Sequence, residues 1–317
     1  MRNAWIKRAG GLRLESVPEP VPASDELLLQ VEAISLNRGE VRTAARAAEG
    51  VIPGWDVAGT VIARAPNGTG PVEGARVAAL LSGGGWAERA AVPVAGAAIV
   101  PEGVGLDVAA TLPVAALTVV RALDVAGSML GKTMLVTGGT GGVGQFAIQL
   151  GSLAGAVVTA VSSRQEQWDL LRGLGARAVA ATIEEAAGPF DFILESVGGR
   201  SLSVAIERVA RGGGIVTIGN SSEEDTTFNA RTLYAKGGAW IYGLLIFEEL
   251  ASRRVVARDL ERVLTLVQHG ALRAPLELRR PWTELPAVLD ELERRSYSGK
   301  AVLTISPKDI ARELARA

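Results

Sequence analysis

A two-domain α/β chain, with a doubly wound parallel sheet at its centre and a compact antiparallel, barrel-like region ahead of it, is predicted by three observations. Residues 133–243 alternate short apolar runs with helix-like segments, the rhythm of βαβ units that build a parallel sheet covered on both faces. Residues 27–92 instead carry short strand-like runs separated by Pro/Gly-rich turns such as Ala65-Pro66-Asn67-Gly68. A length of 317 residues exceeds what one compact core organises.

The elements follow in order. In the N-terminal region the strand-like runs are 27–35, 57–64, 75–81 and 86–92. In the central series they are 133–137, 156–161, 178–181, 190–195, 214–218 and 239–243, with helix-like segments such as 165–174 and 202–210 between them. Six strands in one such series match the doubly wound fold. Towards the end, 260–270 and 284–295 read as helices, and Ser298-Gly299 as a turn into a final strand reaching Ile305. That strand needs a sheet to join, and the N-terminal domain is its expected host. Residues 307–317 are expected to form a short surface helix.

Composition excludes several classes. Lysine plus arginine (33) nearly balances aspartate plus glutamate (34), so neither nucleic acid nor an anionic membrane is expected as main partner. The first residues carry no apolar core of the secretory type, and the longest uncharged apolar stretch, around 239–247, is far shorter than the ~20 residues that span a bilayer. With no cysteine there is no disulfide, no thiolate nucleophile and no cysteine-ligated zinc. A cytoplasmic enzyme is expected.

The residues richest in chemistry are Gly139, Thr140, Gly141, Gly142, Val143 and Gly144. They follow the apolar run 133–137 and precede Val143, Phe146, Ala147, Leu150, Gly151 and Ala154, an apolar stripe at helical spacing. Strand, glycine turn and helix in that order mark a dinucleotide site. Gly139 is expected to permit the tight turn, Gly141 to let the backbone approach a pyrophosphate, and Gly144 to let the helix pack closely. The helix start offers unpaired N–H groups and a positive dipole end to the phosphates. Glycine alone is no proof in a chain with 38 of them.

Several segments recur together with that turn: Pro53-Gly54-Trp55-Asp56-Val57-Ala58-Gly59, Leu112-Pro113-Val114-Ala115-Ala116-Leu117-Thr118, Asp191 through Gly199, and Ser298-Gly299-Lys300-Ala301-Val302-Leu303. On these the chain resembles the medium-chain dehydrogenase/reductase superfamily, in particular its zinc-independent quinone oxidoreductase branch, similar to zeta-crystallin. The resemblance covers essentially the whole length. It implies a GroES-like, partly open β-barrel catalytic domain from residues 1–115 and 275–317, a Rossmann domain from 116–274, an active site in the cleft between them, and a homodimer. Where zinc-dependent relatives carry metal ligands this chain has Asn37 and Gly54-Trp55-Asp56, which make no zinc site. The sole histidine, His269, is expected at a solvated helix end.

The second central strand runs into Ser162, Ser163 and Arg164 with no acid at its tip, which suits the 2′-phosphate of NADPH rather than the ribose hydroxyls of NADH. Arg164 is alternatively an ordinary exposed charge, and Glu166 falls where a lysine is often found in the resembled branch. By resemblance, Thr118 contacts the nicotinamide region. Ser196, Val197, Gly219 and Asn220 line the cofactor, and Leu244 completes the set. Asn37 and Asp56 are the catalytic candidates: Asn37 donates an amide hydrogen bond near the substrate carbonyl or the nicotinamide ribose, or else bonds its own backbone, and Asp56 braces a turn in the alternative reading. Asn220 alternatively caps its turn, and Trp86 and Tyr242 are packing aromatics or edges of a pocket.

The function expected is zinc-independent, NADPH-dependent hydride transfer to a quinone or α,β-unsaturated carbonyl. Two alternatives stay open: an enoyl-thioester reductase of a fatty-acid or polyketide pathway, and a non-catalytic NADPH-binding sensor. Loops at 42–51 and 244–253 shape the acceptor pocket. The apolar run 240–247 at the sheet edge is the expected dimer contact.

Overall fold

The computed structural model describes residues 1–248 and 256–306. They form two compact units, Met1–Leu117 with Leu250–Ala317 and Thr118–Glu249. The helix Val256–Gln268, assigned from sequence to the central domain, belongs to the first unit, where it packs on the strand Ala97–Ile99. The boundary therefore lies near residue 250, ahead of that helix rather than after it.

The first unit is a GroES-like barrel. A hairpin of β1 (Arg2–Arg8) and β2 (Gly11–Val17) precedes β3 (Glu26–Ser35), β4 (Asp56–Ala63), β5 (Arg76–Leu80), β6 (Arg89–Pro93) and β7 (Ala97–Ile99). Side chains along β3 alternate between core and surface, the period-two pattern of a sheet with one buried face. Trp86, expected within a strand, lies ahead of β6 and is wholly buried. It shares the core with Trp5 and Trp282, whose rings meet edge to face at 6.4 Å.

The second unit carries β8 (Thr133–Val136), β9 (Val157–Val161), β10 (Ala178–Ala180), β11 (Phe190–Glu195), β12 (Val209–Thr217) and β13 (Trp240–Gly243). They form one sheet in the order β10-β9-β8-β11-β12-β13, every pair parallel. Strands β8 and β11 are buried almost residue for residue, as a sheet covered on both faces requires. The order reverses between β8 and β11, the switch point where such sheets open a crevice beyond the carboxyl ends of their strands. At the other end of this pair, Asp191 Oδ2 accepts from the Thr133 backbone N–H at 2.8 Å and its hydroxyl at 2.9 Å. The Asp191 N–H returns a bond to that hydroxyl.

The chain ends in β14 (Leu276–Pro281) and β15 (Lys300–Thr304). Strand β15 pairs antiparallel with β3, so the N-terminal sheet hosts the terminal strand. Residues 307–317, expected to be helical, lie outside the described residues, as does most of the loop after Leu244.

Close packing between β3 and β4 depends on one glycine. A Cβ on Gly59 would stand 1.9 Å from the Gln30 carbonyl oxygen, a contact that only backbone movement relieves. Gly59→Ala should therefore lower unfolding free energy by about 3 kcal/mol, near the upper end for overpacking. Gly10→Ala, where a Cβ meets nothing within 4 Å, should stay within about 0.5 kcal/mol of the parent. Urea titration followed by tryptophan fluorescence reads both.

Candidate functional site

Each unit holds a concentration of polar groups beyond its packing needs. In the central unit it lies at the carboxyl ends of the parallel strands. The chain leaves β8 through Thr137, turns, and enters the helix Gly142–Leu153 with Gly141 at its N-cap. The left-handed residue of this turn is Gly138, with φ 62°. Gly139 serves close approach instead, since a Cβ there would press on Ala160 at 3.2 Å and Val161 at 3.3 Å. At Gly144 a Cβ would stand 2.2 Å from the Gly138 carbonyl oxygen, so the helix seats against the turn only without a side chain. Gly138 and Gly141 are exposed, and Thr140, Gly142 and Val143 half-buried. The first N–H groups of the helix have no intrahelical acceptor, which leaves a donor set and a positive dipole end for a phosphate.

Beside this turn, Ser196 at the tip of β11 is tied to Thr137: its N–H donates to the Thr137 hydroxyl at 2.9 Å and its own hydroxyl to the Thr137 carbonyl at 3.2 Å. Beneath both lies a residue that sequence reading passed over, Glu195. It is fully buried, and its carboxylate accepts from the N–H groups of Val197 (3.0 Å) and Gly198 (2.9 Å) and from the hydroxyls of Ser201 (2.8 Å) and Thr137 (3.3 Å). An acid directly after the apolar run Phe192-Ile193-Leu194 was the available signal. Asn220 braces its own loop: its amide donates to the Glu224 carbonyl and its oxygen accepts from the Ser222 hydroxyl. Gly219 follows β12, and the Leu244 N–H donates to the Thr217 carbonyl after β13. Thr118 is buried on the helix Pro113–Ala126.

After β9, Ser162 is buried, its hydroxyl accepting from the Arg164 N–H at 3.1 Å and its carbonyl from the Trp168 indole at 2.9 Å. The turn is thus pre-formed, with Ser163 exposed and Arg164 half-buried. Thr140, Gly141, Val143, Ser163, Arg164, Ser196 and Val197 come from different strand ends of one sheet face, as the topology of the switch point dictates.

The barrel unit holds a buried cluster of charge. Ser35 in β3 lies opposite Asp56 in β4 on one side and Val302 in β15 on the other. Asn37, two residues past Ser35, and Lys300, two before Val302, are thereby delivered to the Asp56 carboxylate. Asp56 Oδ2 accepts from Asn37 Nδ2 at 2.9 Å and from Lys300 Nζ at 3.0 Å, while Oδ1 accepts from the Val114 N–H at 2.8 Å. Lys300 also donates to Asn37 Oδ1 at 2.6 Å. Glu40, at the third position of the helix Arg38–Arg46, accepts from the N–H groups of Trp55 and Asn37 at 2.5 and 3.1 Å. Asp56, Glu40 and Lys300 are buried; Asn37 alone is half-exposed. Sequence reading found Asn37 and Asp56 and missed the helix, Glu40 and the part played by Lys300. Asn37-x-x-Glu40 is a helix-start pattern and was the available signal.

Comparison with known proteins places both regions. Residues 23–102 match the alcohol dehydrogenase GroES-like domain, and residues 142–262 a model described as zinc-binding dehydrogenase. The chain is 30% identical over 303 residues to the chloroplast envelope quinone oxidoreductase homolog of Arabidopsis thaliana, covering 88% of this chain and 89% of that one. It is 29% identical over 296 residues to polyketide synthase GfsB of Streptomyces halstedii, covering 86% of this chain but 5% of that protein. Among solved structures, mycobacterial Rv1454c complexed with NADPH superposes with a TM-score of 0.86 at 24% identity, covering 96% of this chain and all of that one.

The described residues do not fit the zinc that the second description implies. Trp55 offers only an N–H donor, and the Asn37 oxygen is already held by an ammonium. His269 is exposed just beyond the helix Val256–Gln268, and no three acidic or histidine side chains converge among the described residues.

Burial, helped by the nearby Asp56 carboxylate, pushes the Glu40 carboxyl up to about 8, against the pull of Lys300 and of two backbone N–H groups. A carboxyl raised from 4.5 to about 8 stabilises the fold fully below pH 4.5 and loses that contribution as pH rises through 8. Glu40→Gln should lose about 1–3 kcal/mol at acid pH, because one backbone N–H goes unsatisfied. The gap to the parent should then narrow as pH rises from 5 to 9, measured by urea unfolding at each pH.

Proposed function

The chain belongs to the medium-chain dehydrogenase/reductase superfamily, in its quinone-oxidoreductase branch, and from this premise we propose that it reduces quinones or α,β-unsaturated carbonyls at the expense of NADPH. It is an oxidoreductase. The observation that supports the finer reading is the turn at 137–144, whose glycines seat the start of a helix close against the end of β8 in the sheet's switch-point crevice, with Gly141 exposed at its N-cap.

The reduced nicotinamide, when bound, supplies the hydride. In this reading the amides at Gly139, Thr140, Gly141, Gly142, Val143 and Gly144 hold the diphosphate. Ser162, Ser163 and Arg164 receive the 2′-phosphate, since no acid ends β9 and arginine's planar donors suit a phosphate. Thr118, Ser196, Val197, Gly219, Asn220 and Leu244 line the remainder. The Glu195 carboxylate keeps the 196–198 amides in one arrangement. Asn37 offers an amide N–H to the carbonyl oxygen on which charge develops, and Asp56 braces Asn37. Acceptors of this kind share one demand, addition of hydride to an electron-poor conjugated carbon.

A second reading, reduction of enoyl thioesters, is favoured by the match to a segment of a polyketide synthase. We further propose a homodimer through β13, an edge strand whose Ile241 is exposed, and a cytoplasmic setting with an NADPH pool. No helix among the described residues is long and apolar enough to cross a membrane.

Oxidation of NADPH, followed by absorbance against 1,4-quinones, enones and crotonyl thioesters, tests the reading. Turnover of quinones or enones supports it, preference for the thioester favours the second reading, and tight NADPH binding with no turnover on any acceptor would identify a sensor. Arg164→Ala should weaken NADPH about tenfold to a hundredfold, the worth of one charged hydrogen bond, with NADH barely changed in calorimetry. Equal losses for both cofactors would remove Arg164 from the 2′-phosphate.

A further inference from the structure

We propose that Lys300 is a positioning residue for the reduction: its buried ammonium fixes the Asn37 amide in one orientation and leaves a single polarised N–H as the donor to the acceptor's carbonyl oxygen. The proposal rests on the reading of the chain as a reductase of conjugated carbonyls.

Three features of the cluster carry it. An ammonium can only donate and a carboxylate can only accept. Asn37 lies against one of each, with Oδ1 at 2.6 Å from Lys300 Nζ and Nδ2 at 2.9 Å from Asp56 Oδ2. Turning the amide over would set two donors face to face and two acceptors face to face, so the two ionised groups together admit one orientation only. Second, these bonds use the amide oxygen and one of its two hydrogens, and the second hydrogen has no partner among the described residues. Asn37 is also the half-exposed member of the cluster, while Lys300 is 3% and Asp56 1% exposed. A ligand therefore meets Asn37 and cannot reach the charges behind it. Third, a cation on the carbonyl oxygen draws electron density from the amide and strengthens its N–H as a donor, as hydrogen bonds in a chain polarise one another.

The outcome is an electrostatic donor of fixed direction, suited to an oxygen that gains negative charge as hydride adds to the conjugated carbon. Lys300 acts at one remove. Its charge reaches the reacting oxygen only through the amide, and it delivers no proton.

The test uses the whole chain with NADPH and enones of graded electron demand. Lys300→Met leaves Asp56 uncompensated, so it is paired with Lys300→Met/Asp56→Asn, which removes both charges at nearly constant volume. In the double variant NADPH affinity should hold within about twofold, whereas kcat should fall about tenfold to a hundredfold, less than the loss of a whole oxyanion donor. The fall should steepen as the enone becomes less electrophilic, a dependence that a merely structural lysine would not produce, and Lys300→Arg should recover part of it. A folded double variant with parental kcat on the weakest enones overturns the proposal.

A second readout does not require turnover. The chain has five asparagines, so selective nitrogen-15 labelling isolates the Asn37 side-chain amide. Its resonances should move upfield in the double variant relative to Asp56→Asn alone, which shares the altered acceptor of the amide N–H. If they stay in place, Lys300 does not polarise the amide, whatever the acceptor. If the parent chain reduces none of the acceptors, the functional reading fails alone and the resonances still decide the role of Lys300.

Discussion

A lysine ammonium shut away from water must find counter-charge and acceptors within the protein, and in this chain Lys300 finds them in Asp56 and Asn37. Removing one partner of such a group leaves an uncompensated buried charge, which is strongly destabilising. The pair therefore constrains more than its own atoms. It requires β15, β3 and β4 to lie in one register, because a shift of a single residue would turn each of these side chains to the other face of its strand. The barrel is closed by a strand from the far end of the chain, and this ion pair makes that closure specific as well as apolar. Asn37 is bound to the pair through its amide, and Glu40 holds the Asn37 and Trp55 N–H groups beside it.

At the carboxyl ends of its strands the central unit gathers polar groups of another kind. Its strands end in hydroxyls, glycines and one carboxylate, Glu195, satisfied by two amides and two hydroxyls. Backbone N–H groups there are held in fixed directions by neighbouring side chains, so a ligand meets an ordered array of donors. In one chain, then, the barrel stores its polarity in ionised side chains, and the parallel sheet stores it in oriented main chain.

The parallel sheet was legible because every strand from β8 to β13 is a short apolar run set off by helix-like segments, and the structure holds all six. The glycine turn was legible as a motif but not in its conformation: spacing reveals which residues lack side chains, whereas the left-handed backbone at Gly138, just ahead of the motif, shows only in the fold. Helix Pro113–Ala126 was overlooked because its sequence is apolar around much of its circumference, which removes the stripe that betrays a surface helix. The β1–β2 hairpin alternates weakly and its turn, Ala9-Gly10, carries one glycine among many. Asp56 and Asn37 drew attention through motif position. Lys300 and Glu40 did not, because a charge inside a strand or at a helix start reads as solvated until the fold shows that no water reaches it. Only long-range register, Ser35 against both Asp56 and Val302, brings these side chains to one place.

The adjoining strands β8 and β11 are clasped at both extremities, by Thr133 with Asp191 below and by Thr137 with Ser196 above. A two-strand floor fastened in this way cannot splay to accommodate a bulkier guest. Adaptation to differently shaped ligands must then be carried by the rim, the segment 219–224 that hangs beside that floor by a few hydrogen bonds. Variation among relatives of this chain should accordingly accumulate in the rim while the clasps stay invariant.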